Sequence, residues 1–317
     1  MATQTTINTA SPNTHLLKTF YDKKMLEWAK TQFVYANYGQ KRSIPRGNGK
    51  TVEFRRWKLF DVDTAALVLE EGVTPTGQNI GQTKVEATVK QYGAYVEVSD
   101  VLDMTAYDPV MSDMSELLGE QMGTCLDWVT RDALIAEASA QMAGGKTATN
   151  AITTTDVLTV NDIRKAVRTL KKAKARKFTN GGKPHFVCIC DPDVVYDLQN
   201  DSKWEDVQKY QNAEAIYSGE LGRMYGVVFV ESTEGFIEEG AGSGGANIHH
   251  TLIFGADAYG VVDISGAGGI RSITKPFGSG GTSDPLDQRA TIGCKVDAFA
   301  AKVLNPLWII DIESAAS

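Results

Sequence analysis

A chain of 317 residues that is 42% hydrophobic and 22% charged can bury a full core and is long enough for two lobes. No apolar run reaches the about 18 residues that span a bilayer, and Met1–Pro12 is a polar Thr/Asn/Ser segment without a signal-peptide core, so membrane insertion and secretion are not expected. The net charge of −7 is uneven: Met1–Phe60 holds eleven Lys/Arg against three acids, a net +8 that leaves −15 for the remainder. A basic arm on an acidic body suits two surfaces in different surroundings, one of them tolerant of polyanion; a solvated basic face is the competing reading.

In chain order, His15–Ala36 reads as a short amphipathic helix carrying Leu16, Leu17, Phe20, Leu26, Ala29 and Phe33. Such an arm is too small to fold alone and needs a body to lie on, its own or a neighbour's. Gln40–Lys50 reads as a loop rich in basic residues and Gly. Thr51–Phe60 and Thr83–Val98 then read as two extended strands, with Val85, Ala87 and Val89 alternating against Lys84, Glu86, Thr88 and Lys90. Between them Asp61–Gln82, about twenty residues with Gly72, Pro75, Gly77 and Gly81, far exceeds an ordinary hairpin loop. That length predicts a protruding functional arm.

Ser112–Gly145 predicts a single helix of unusual length. Asp113 and Glu116 have capping-box spacing, Asp108-Pro109 breaks the preceding segment, and Gly144-Gly145 supplies a stop. Met114, Leu118, Met122, Cys125, Val129, Ala133 and Ala136 form its predicted buried stripe, and Gly119 and Gly123 would admit another backbone closely. A second helix starts at Thr159 with Asp162 as cap partner and buries Ile163, Ala166, Val167, Leu170 and Ala173. Its other face is basic, with Arg164, Lys165, Arg168, Lys171, Lys172, Lys174, Arg176 and Lys177, and is expected to be solvated or to face a neighbouring subunit. Phe186–Cys190 reads as a buried strand, followed by a helix through Leu198 capped by Asp191-Pro192. Short strands at Val227–Val230 and Leu252–Phe254 flank a glycine-rich loop, and Ala290–Ile312 is strand-like with a break at Asn305-Pro306.

Several motifs invite an enzymatic reading and fail on context. Gly145-Lys146-Thr147 and Gly49-Lys50-Thr51 lack the leading glycine of a phosphate-binding loop and its strand-to-helix setting. Gly240, Gly242 and Gly245 spell G-x-G-x-x-G but precede a strand, not the helix that would hold a pyrophosphate. Cys125, Cys188, Cys190 and Cys294 have no zinc-like pairing and read as reduced core thiols. His15, His185, His249 and His250 have no carboxylate at ligand spacing, and adjacent histidines on a strand point to opposite faces. No catalytic residue, cofactor site or metal site is expected.

The strings Thr51-Val-Glu-Phe-Arg-Arg-Trp57, Glu71-Gly-Val-Thr-Pro-Thr-Gly77, Val89-Lys-Gln-Tyr-Gly93, Ser99-Asp-Val-Leu-Asp103, Tyr217-Ser-Gly-Glu-Leu-Gly-Arg223, Tyr225-Gly226 and Thr291-Ile-Gly-Cys-Lys295 carry a specific resemblance. In this order they resemble the major capsid proteins of tailed bacteriophages, in the family typified by a lytic podovirus that packages its own virion polymerase. The resemblance spans roughly Phe20 to Glu313. It implies an α+β, HK97-like fold: N-arm 1–46, extension loop 47–99, peripheral domain 100–155 with the spine helix, axial domain 156–289 and a C-terminal peripheral strand 290–317.

It further implies a virion shell protein, assembled in the host cytoplasm into hexamers and pentamers around double-stranded DNA, with portal, scaffolding and decoration proteins as further partners and no membrane. The DNA-facing residues would be Lys18, Lys23, Lys24, Lys30, Lys41, Arg42 and Arg46, and the loop residues contacting other subunits Glu71, Gly72, Pro75 and Gly77. Lys84 or Lys90 with Asn305 would be the candidates for the covalent crosslink some such shells make. No catalytic carboxylate is marked for them, and none is expected to form. The alternatives are an encapsulin-like compartment of the same fold, a nucleotide-hydrolysing enzyme and a nucleic-acid-binding virion protein.

Overall fold

The structure, a computed structural model, describes residues 34–45, 47–58, 60, 62, 67–69, 71–74, 77–106, 110–179, 183–201, 204, 222–264, 269–281 and 284–316. Most of the expected N-terminal helix lies outside them, as does Asp108-Pro109. The described segments form a five-stranded and a seven-stranded sheet, a two-stranded hairpin, and a long helix that lies on the first sheet and reaches the second.

The five-stranded sheet contains β1 (Gln40–Ile44), β4 (Lys90–Ser99), β11 (Tyr259–Ile264), β12 (Arg271–Lys275) and β13 (Arg289–Val303). The 15-residue β13 is its axis, pairing antiparallel with β4, β11 and β12. Gln40–Ile44 is thus a strand where the sequence reads as loop. Its parallel pairing with β11, Gln40 opposite Gly260, is a tertiary contact that local composition does not carry.

The hairpin joins β2 (Thr51–Trp57) to β3 (Gln82–Thr88), with Thr51 opposite Thr88 and Trp57 opposite Gln82. The single strand expected over Thr83–Val98 is two. At Val89, buried and donating its amide to Lys50 O at 3.0 Å, the chain leaves the hairpin, and residues 90–99 continue as β4 in the body. Ser99 then caps α1 (Asp100–Thr105), accepting from the Leu102 amide at 3.3 Å.

The spine helix α2 runs over Val110–Glu137, 28 residues and about 42 Å at 1.5 Å per residue. It starts before Asp113, which sits in its first turn, not at its cap. It also ends earlier than expected. Ser139–Met142 forms β5, parallel to the C-terminal strand β14 (Ile309–Ser314), so the double glycine closes a turn after a strand. Gly144 and Gly145 take φ of +61° and +73°, the left-handed region glycine favours.

The buried face of α2 is rotated from the predicted stripe. Leu118 and Met122 are buried as expected, but Ala136 is exposed, and Ser115, Gly119, Gly123, Leu126, Asp127, Thr130, Arg131 and Leu134 complete the inner face. Both glycines therefore lie against the body. Cys294 Sγ donates to Leu118 O at 3.6 Å across this contact with β13.

The seven-stranded sheet runs β5-β14-β10-β6-β8-β7, with β6 (Phe186–Cys190), β7 (Arg223–Met224), β8 (Val227–Glu231) and β10 (Ile248–Phe254), and β9 (Ile237–Glu238) also paired to β10. β6, β10 and β14 are buried along their whole length, as strands covered on both faces are. Leu252, Phe254 and Ile309 join Leu134 of α2 in one core. On the other face Cys188, Cys190, Ile253 and Ile312 join α3 (Val160–Lys172) and α4 (Pro192–Gln199). Thr159 and Asp191 cap these helices at the expected residues. The break at Asn305-Pro306 divides the C-terminal segment between the sheets, β13 in one and β14 in the other.

Candidate functional site: assembly surfaces

The base of the hairpin is fastened to the body by a small core in which Phe54 and Ala87 meet Ile44, Val262, Ala298 and Ala300. Phe54 lies over Gly260 so closely that a Cβ there would sit 2.5 Å from its ring, and the Arg42 guanidinium covers the ring at 5.8 Å. Beyond this anchor the described residues of the segment bury little. Trp57, Phe60, Val62, Leu67, Val68, Leu69, Val73 and Ile80 are all exposed, Val62 at 79% and Ile80 at 70%. This many exposed large apolar side chains within one segment is more than a protein that works alone usually leaves open to water. Lys84 pairs with Glu53 at 2.8 Å and Glu86 at 2.6 Å, which orders the polar face of the hairpin and adds little stability at such exposure.

Of the expected intersubunit residues, Glu71, Gly72 and Gly77 are exposed, Gly72 with φ +82°, and Pro75 lies outside the described residues. Of the expected DNA-facing residues, Lys41 and Arg42 are exposed on β1; Lys18, Lys23, Lys24, Lys30 and Arg46 lie outside the described residues. On α3 the expected basic face is exposed at Arg164, Arg168, Lys171 and Lys172, with Arg164 over the Tyr225 ring at 5.3 Å. Among the crosslink candidates Asn305 is buried, at 6% exposure, and poorly placed to meet a lysine of another subunit.

The first described residues of the chain are held by a device that the sequence did not suggest. Asp127, buried on α2, accepts the Val34 amide at 3.2 Å and the Ala36 amide at 3.0 Å. Tyr259 Oη donates to Tyr35 O, and the Tyr35 side chain fills the core between α2 and the sheet. Burial pushes the Asp127 carboxyl up from its ordinary range, against the pull of the Ala36, Tyr35 and Val34 amides. Arg131, one turn on, clamps the loop after β8, donating to Glu234 O at 2.7 Å and stacking over Phe236 at 5.3 Å.

The adjacent histidines do point to opposite faces, but each finds a carboxylate distant in sequence. His249 Nδ1 lies 3.2 Å from Asp191 Oδ2 and His250 Nδ1 2.7 Å from Asp311 Oδ2. The expectation that no carboxylate accompanies them is therefore corrected. Among the described residues no helix is long and apolar enough to cross a membrane.

Residues 130–279, just under half of the chain, match the model of a family described as phage capsid protein. No curated protein matches the chain. Among solved structures, the capsid of cyanophage P-SCSP1u is similar at 16% identity, covering 90% of this chain and 88% of that one with a TM-score of 0.67. The capsid of Ralstonia phage GP4 is similar at 14% identity over 91% and 90%, with a TM-score of 0.69. A virus-like particle from Pyrococcus furiosus is more distant, at 11% identity over 93% and 99% with a TM-score of 0.53. At these identities the likeness is one of fold, and the fold is the HK97-like capsid fold.

Proposed function

We infer that this chain, a member of the phage capsid proteins, is a major capsid protein that self-assembles into the icosahedral shell of a phage head. The observation that carries the reading is the hairpin, anchored by Phe54 at its base and apolar along its exposed outer part. A second copy of the chain is the partner such a shell supplies. Hexamers and pentamers repeat the same contact around closed symmetry axes, and their combined interfaces are of the obligate class of thousands of Å². The shared fold of the Pyrococcus particle keeps a cellular compartment as the second reading, and the phage capsid match over residues 130–279 favours the head.

Packaged double-stranded DNA would lie against the basic N-terminal segment, of which Lys41 and Arg42 on β1 are exposed. Such contacts neutralise phosphate and read no sequence. Portal, scaffolding and decoration proteins belong to the same role, assembly would take place in the host cytoplasm, and the protein works by association and not by turnover.

Deleting residues 61–81 tests the reading. The expected result is a folded subunit that no longer assembles, because no described residue of that stretch belongs to the core at the base of the hairpin. A deletion that unfolds the subunit, or one that still builds shells, would overturn it.

A further inference from the structure

The two faces of β10 differ in how completely their polar groups are used. On the His249 side, Asp191 also caps α4 by accepting the Asp193 amide at 3.4 Å, and Asp193 is exposed to water. On the His250 side, the antiparallel register sets Glu313 directly across from His250, and Asp311 two residues away on the same face of β14. One donor atom from each of the three lies within 4.8 Å of the others. All are more than nine-tenths buried, at 6%, 3% and 7% exposure for His250, Asp311 and Glu313.

Their internal contacts leave atoms over. His250 Nδ1 meets Asp311 Oδ2 at 2.7 Å, and Glu313 Oε2 accepts from Thr149 Oγ1 at 2.5 Å. Among the described residues His250 Nε2 and Asp311 Oδ1 remain buried with no partner. Among the described residues neither carboxylate pairs with a Lys or Arg, and Glu238 adds a third acid to the local field. Arg131, which stacks on the neighbouring Phe236, is committed to Glu234 O and Asp132. A proton on His250 balances one carboxylate at most and leaves the orphan atoms as they are. A divalent cation balances both.

We propose that His250, Asp311 and Glu313 bind one divalent first-row transition ion, best matched by zinc, which fastens the C-terminal strand β14 to β10. Imidazole nitrogen and carboxylate oxygen are ordinary zinc ligands, at about 2.0 to 2.2 Å. The imidazole disfavours magnesium and calcium, which take oxygen ligands. The Thr149 hydroxyl orients Glu313 by donating to its Oε2, and water completes the fourth position. The site lies inside one subunit and does not depend on the assembly reading.

The test uses the full chain, dialysed against chelator and titrated with zinc chloride by calorimetry, with metal content measured by mass spectrometry. The expected result is one zinc per chain and a raised thermal midpoint that chelator reverses. Glu313→Gln, which keeps the Thr149 bond, and Asp311→Asn should each weaken binding by more than about tenfold, while His249→Gln binds as the parent chain does. Should Asp311→Asn fail to fold, Glu313→Gln decides. Absence of stoichiometric binding, binding unchanged in a folded Glu313→Gln, or binding lost in His249→Gln but kept in Glu313→Gln would each overturn the proposal.

Discussion

Asp127 receives the Ala36 amide at 3.0 Å across a sequence separation of 91 residues, and this bond joins the spine helix to the point where the N-terminal segment enters the body. It makes the inner face of α2 a fastening surface as well as an apolar one. Asp127→Ala leaves the Val34 and Ala36 amides without their acceptor and should cost about 1 to 3 kcal/mol. Urea unfolding of the unassembled subunit measures this, and limited proteolysis should show earlier cleavage near residue 34. A variant as stable and as resistant as the parent would show that the bonds contribute nothing.

The same carboxyl sets a pH dependence. Burial raises its pKa above the ordinary carboxylate value, so its contribution is most favourable below about pH 4 and is lost as pH rises through the folded-state value. Asp127→Asn retains an acceptor oxygen and has no such titration. The stability of the parent minus that of Asp127→Asn should therefore fall with rising pH above about 4 and then level off. A difference that grows with pH would mean that the three amides outweigh burial.

Gly260 predicts the strength of the hairpin anchor. A methyl group there meets the Phe54 ring at 2.5 Å and must displace it. Gly260→Ala should destabilise by about 1 to 3 kcal/mol, as overpacking does, and should weaken assembly more than it weakens the fold, since Phe54 seats the hairpin. Unfolding and sedimentation measured on the same preparation separate the two effects. Equal loss of both would place Phe54 in the general core.

Local signals in the sequence carried much of this architecture. Thr159 with Asp162 and Asp191 with Pro192 mark helix starts through contacts within three residues, and the excursion of about twenty residues between two strands marks, by its length alone, a segment whose described apolar side chains are exposed. What was not legible depends on partners far along the chain. Ser139–Met142 continues a helical pattern but becomes a strand because β14 pairs with it. The buried face of α2 holds Asp127, Thr130 and Arg131, whose partners are segments near residues 35 and 234 together with the helix backbone itself, so the apolar stripe through Leu118 and Met122 marks only one edge of it. The His–Asp pairs join residues 58 and 61 apart, brought together only by the register of the sheet. The basic residues of Met1–Phe60 carried the charge signal, and of the eleven only Lys41, Arg42, Lys50, Arg55, Arg56 and Lys58 lie within the described residues.

The most direct measurement of the central claim is negative-stain electron microscopy of the purified chain, taken with size-exclusion chromatography across salt and concentration. A major capsid protein of this fold should yield rings, tubes or closed shells built from repeating hexamers and pentamers. A species that remains monomeric under every condition would contradict the account.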